Sequence, residues 1–96
     1  GGAAAIEVGK RLARLARDSQ VVVVTHLAQV AAFASTHLRV LKTSDHDYTA
    51  SDVVELDKEG RIEELTRMLS GLTDSSSGRA HASELIDLAS QEFSAI

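Results

Sequence analysis

Thr25 and His26 stand directly after Val21-Val22-Val23-Val24 and directly before a stretch with helical spacing. An apolar run, a polar pair and a helix start form the pattern of a strand end leading into a loop. In open α/β sheets, ligands bind at the carboxyl ends of the strands. A histidine placed there can donate from an imidazole nitrogen to a phosphate or a developing oxyanion, aided by the positive end of the next helix. A purely local reading is also available, in which Thr25 caps the helix and His26 is a partly exposed polar residue. Position alone favours the local reading, because placement in a fold is not function.

The other chemistry-bearing residues are scattered. His37, His46 and His81 show neither H-x-H nor H-E-x-x-H spacing, so no metal site is predicted from them. Asp45, Asp47 and Thr49 fall at the first, third and fifth positions of a calcium loop. Ala50 replaces the required glycine, however, and Leu56 the bidentate glutamate. Ser75, Ser76 and Ser77 cluster without a G-x-S-x-G elbow and read as a loop. Neither G-x-x-x-x-G-K-[ST] nor G-x-G-x-x-G occurs, so the chain has no phosphate cradle of its own. Lys10, Arg11, Arg14 and Arg17 form a basic stripe that could touch a phosphate backbone, but no aromatic residues interleave it, and a solvated helix face explains it as well.

The elements that must position these residues follow from periodicity. Ala3 to Arg17 is helical, with Ala5, Val8, Leu12, Leu15 and Ala16 on one stripe and Glu7 able to pair with Lys10 and Arg11. The four valines, β-branched and apolar on both faces, predict a central strand of a parallel sheet covered on both sides. A helix of about ten residues should follow, marked by Leu27, Val30, Ala31 and Ala34. His37–Thr43 and Tyr48–Leu56 read as a hairpin around the turn Ser44-Asp45-His46-Asp47. Ile62, Leu65, Met68, Leu69 and Leu72 mark a helix stopped near Gly71, then Thr73–Gly78 reads as a flexible link. Ala82, Leu85, Ile86, Ala89 and Phe93 share one face of a last helix.

Composition bounds the whole. The chain has 96 residues, room for one core, with 44% hydrophobic and 25% charged residues, as in ordinary globular domains. Its net charge of −4 lacks the basic excess of a free-standing nucleic-acid binder, although residues 1–48 sum to +2 and residues 49–96 to −6. Without cysteine there are no disulfides or thiolate sites, which fits a reducing cytoplasm, and no apolar run is long enough for a membrane span. The chain begins with Gly1, and its one methionine is Met68. Either Gly1-Gly2 is a cloning remnant or the sequence is a piece of something longer.

The segment Val21-Val22-Val23-Val24-Thr25-His26-Leu27-Ala28-Gln29-Val30-Ala31-Ala32 resembles the switch-histidine segment of the RecN family, bacterial DNA-repair ATPases related to SMC and ABC-type ATPases. Gly1 to Leu12 looks like the stretch after the Walker B strand and D-loop. Glu59–Gly71 and His81–Ile86 look like the family's C-terminal helices. Ala28 departs from the proline expected there, a change of rigidity more than of chemistry.

The resemblance implies that residues 1–96 are the C-terminal subdomain of a P-loop, ABC/SMC-type ATPase head, an α/β unit with a sheet strand flanked by helices, a β-hairpin and two C-terminal helices. It implies that His26 contacts the ATP γ-phosphate and helps orient the attacking water, and that Gly1 and Gly2 belong to the end of the D-loop. ATP and Mg2+ would be cofactors of the parent protein, neither held tightly by this piece. The partners implied are the remainder of the head, a second copy of the head, and DNA through the parent, in a cytoplasmic, nucleoid-associated setting and not at a membrane. The competing expectations are a self-contained interaction or dimerisation module with no nucleotide role, and a small DNA-binding domain using the Lys10–Arg17 stripe.

Overall fold

Ala5, Gly9 and Ala13 recur every four residues, and this small-residue row is the buried face of helix α1 (Gly2–Leu15) in the computed structural model, which describes residues 1–44 and 49–94. The row lets a neighbouring backbone come close. A Cβ at Gly9 would sit 2.5 Å from Phe33 Cδ2 and 3.0 Å from the Gln29 carbonyl oxygen. The apolar stripe expected on α1 is therefore only partly its packing face: Ala5 is buried, but Val8 and Leu15 are 49% and 55% exposed. Burial follows the closest backbone approach here, not the largest side chains.

Helix α2 (Ala28–Ala31) is a single turn, shorter than the ten residues expected, although the chain continues in turns through Phe33. Ala28, Val30, Ala31, Ala32 and Phe33 are all buried against α1 and α3. Strands β1 (Leu38–Ser44) and β2 (Thr49–Glu55) form the expected antiparallel hairpin, in register from Leu38↔Glu55 to Ser44↔Thr49. Its turn, Asp45 to Tyr48, lies outside the described residues.

The central strand expected at Val21–Val24 is not formed. Among the described residues the sheet has two strands, β1 and β2, and the valines take part in no backbone hydrogen bond. Val22 and Val24 are 83% and 99% exposed. A strand apolar on both faces needs ladder partners as well as covering layers, and the described residues supply neither. The four valines instead form one wall of an open groove that continues over Leu38, Val40 and Val53 of the hairpin.

Helix α3 (Lys58–Ser70) starts where Asp57 accepts a hydrogen bond from the Gly60 amide at 2.7 Å, and it ends at Gly71, whose φ of 79° is the left-handed cap expected there. Helix α4 (Ser76–Ser94) begins earlier than expected, because Ser75 Oγ accepts from the Gly78 amide and turns the serine cluster into a helix start. Ala82, Leu85 and Ala89 of its expected face are buried, while Phe93 remains exposed at the groove.

One ionic cluster fastens the hairpin to α3. Glu64, 6% exposed, accepts from Arg67 Nε at 3.2 and 3.1 Å and lies 3.3 Å from Arg39 Nε of β1. Burial alone would raise the Glu64 pKa, but the Arg67 hydrogen bond and the charges of Arg67, Arg39 and His37 outweigh it and hold the carboxyl below its ordinary 4.5.

Two outcomes follow. Gly9→Ala gains about 1 kcal/mol of helix propensity but overpacks Phe33 and Gln29 at a cost of about 1–3 kcal/mol. The thermal midpoint, read by circular dichroism, should fall; a rise would contradict the close contact. Glu64→Gln should cost about 1–2 kcal/mol, since both arginines can still reach water. Because the folded carboxyl titrates below 4.5, its contribution is present above that pH and lost as pH falls through the lower folded value. The variant's acid unfolding should therefore show a shallower loss below 4.5 than the parent chain's.

Candidate functional site

Residues 25–27 form a tight polar turn at the mouth of the groove. Thr25 Oγ1 accepts from the Leu27 amide at 3.0 Å. Thr25 thus closes a turn one residue before the helix, and Leu27 itself occupies the N-cap position, with φ −99° and ψ 118°. The helix cap expected of Thr25 is not formed: its hydroxyl bonds the Leu27 amide, and no side chain caps α2. His26 is exposed and lines the groove beside the valines. Its imidazole makes no side-chain hydrogen bond among the described residues, which leaves both ring nitrogens open to a ligand.

The framework behind His26 is buried by comparison. Two residues after it, Ala28 is 2% exposed, so a buried helical turn follows the exposed histidine. Gly2, at the start of α1, faces the same helix: a Cβ there would be 3.8 Å from Gln29 Nε2, while nothing lies within 4 Å of such a position on Gly1. The fold therefore brings Gly2, but not Gly1, against the segment that carries His26.

The remaining candidates do not assemble into a second site. His81 is exposed on α4 and His46 lies outside the described residues, as do Asp45 and Asp47 of the calcium-loop pattern. Among the described residues no three His, Cys, Asp or Glu converge as a metal site would need. Half of the basic stripe is already engaged: Lys10 lies 3.6 Å from Glu7, and Arg14 Nε donates to Glu92 at 2.7 Å. The Arg14 hydrogen bond and charge hold the Glu92 carboxyl below its ordinary value.

Two residues with site-like surroundings went unsingled in the sequence. Arg61, half-buried on α3, donates from Nη2 to the Ala32 carbonyl at 3.2 Å, which caps the C-terminal end of α2. His37 sits half-buried where β1 begins, and burial, then the Arg61 charge, lowers its pKa below the ordinary 6.5 against the opposing pull of Glu64. No local spacing joins residues 29 positions apart in the chain, so neither contact could be read from periodicity.

No family model matches the chain. Curated relatives do. DNA repair protein RecN of Streptomyces coelicolor is 60% identical over 89 residues, covering 93% of this chain and 16% of that protein. DNA repair protein RecN of Mycobacterium leprae is 56% identical over 94 residues, 98% of this chain and 16% of the relative. The Deinococcus radiodurans protein of the same name is 51% identical over 86 residues, 90% of this chain and 15% of the relative. The chain spans about one sixth of the length of these relatives. Over that span it belongs to the RecN family.

Proposed function

We propose that this chain is a subdomain of an SMC-like, P-loop ATPase head in a DNA double-strand-break repair and recombination protein, and that His26 is the switch histidine of a composite ATP site. The observation that carries the reading is the position of His26: it is exposed, has no side-chain hydrogen bond among the described residues, and stands between an apolar run and a buried helical turn. The names and identities of the relatives support a role in DNA repair.

In this reading the rest of the head covers Val21–Val24 and the hairpin groove, a second head completes the nucleotide site, and DNA is engaged through the parent protein. Gly1 and Gly2 stand at the end of the D-loop. The setting is the nucleoid-associated cytoplasm. ATP and its Mg2+ depend on phosphate and metal ligands outside this chain. The chain's own contribution is directional: the imidazole donates a hydrogen bond to the γ-phosphate and helps hold the attacking water in line. Phosphoryl transfer is governed by positioning and charge stabilisation, so one placed donor has a large effect without a covalent intermediate.

His26→Ala in a full-length relative carrying this segment should lower kcat by about 100-fold, the usual loss of one preorganised donor, in a steady-state ATPase assay. The 96-residue chain alone should hydrolyse no ATP above background. Hydrolysis by the chain alone that His26→Ala abolishes would overturn the reading.

A further inference from the structure

The direction in which His26 points depends on how α2 is held, and α2 is one turn long. A four-residue helix rises only about 6 Å, so a small tilt at its far end is transmitted directly to the Thr25–Leu27 turn at its start. The start is closed by the Thr25 hydroxyl and the Leu27 amide. At the other end, the Ala32 carbonyl has Arg61 as its side-chain partner.

Arg61 is well placed to act as a fixed point. It lies one turn before Glu64 on α3, and Glu64 is itself tied to Arg67 and to Arg39 of β1. The helix is seated further by Leu65 and Thr66, both 0% exposed, against α4, where Gly78 admits the Thr66 methyl at contact distance. A carbonyl at a helix end favours a cationic donor, and guanidinium has further N–H groups to spare. Arg61 Nε and His37 Nδ1 are buried nitrogens without a hydrogen-bond partner among the described residues. The same guanidinium bonds the end of α2 and is near enough to His37, just before β1, for its charge to act on the imidazole.

We propose that Arg61 is a positioning residue for His26: by tying the carbonyl of Ala32, the C-cap of α2, to the buried α3, it sets the orientation in which the Thr25–Leu27 turn presents the imidazole. The proposal rests on the reading of His26 given above. It differs in where the control lies, on α3 and not in the Thr25–Leu27 turn itself.

The test is a double-mutant cycle on ATPase activity in a full-length relative carrying this segment. Arg61→Ala should lower kcat by about tenfold, since misplacing a reacting group by a fraction of an ångström has effects of that order, with KM for ATP changed by less than about twofold. Arg61→Lys, which keeps a cationic donor, should recover most of the loss. In the His26→Ala background, Arg61→Ala should have no further effect, an outcome that a general loss of stability would not produce. An unchanged kcat in Arg61→Ala, or an additive loss in the double variant, overturns the proposal while leaving the role of His26 intact. An unchanged kcat in His26→Ala removes the underlying reading instead. Should Arg61→Ala melt below the assay temperature by circular dichroism, Arg61→Gln, with a neutral donor, takes its place in the same cycle.

Discussion

Alanine occupies six of the nine core positions, and this constraint governs how the helices meet. An alanine buries too little surface to hold elements at ordinary helix spacing, so cohesion depends on bringing backbones together. The contacts at Gly9 with Phe33 and at Gly78 with Thr66 are where that happens. Phe33 is the large side chain around which α1 and α2 close, and Leu65 plays the same part between α3 and α4. Everything that faces the groove is built outward from these two approaches.

Charge separation along the chain acquires a structural meaning in this arrangement. The basic first half and acidic second half are joined by Arg14 to Glu92 and by Arg39 to Glu64. The first pair is open to solvent and contributes little by itself. The second surrounds a buried carboxylate, and there the partners are required, because an isolated charge at that depth would be strongly unfavourable. The −4 of the chain is thus a sum over internal pairings as much as a surface property.

Much of this architecture was legible in the residues. The hairpin and the helices ending at Gly71 and carrying Ala82, Leu85 and Ala89 follow from short-range rules of periodicity and capping, which act within a few residues. His26 was legible as a candidate because it follows an apolar run. Three features were not. The packing face of α1 turns on Gly9, which periodicity counts as no hydrophobe at all. The Arg61–Ala32 and Arg39–Glu64 contacts join distant segments with no local signature. The valine run has the composition of a strand, but a strand is a relation between segments, and the run has no ladder partner among the described residues.

Those valines have a consequence for the life of the chain as a polypeptide. A run of four β-branched, uncharged residues with no proline and with its backbone unpaired is the kind of segment that adds to other exposed strands indiscriminately. Arg17 and Asp18 stand just before it and Arg39 and Lys42 across the groove, so charge guards its approaches while its centre is bare. The β-branched composition that favours strand pairing also makes the segment an aggregation hazard wherever its backbone stays uncovered. The same four residues thus set two properties at once: how readily the segment pairs, and how costly it is to leave it unpaired.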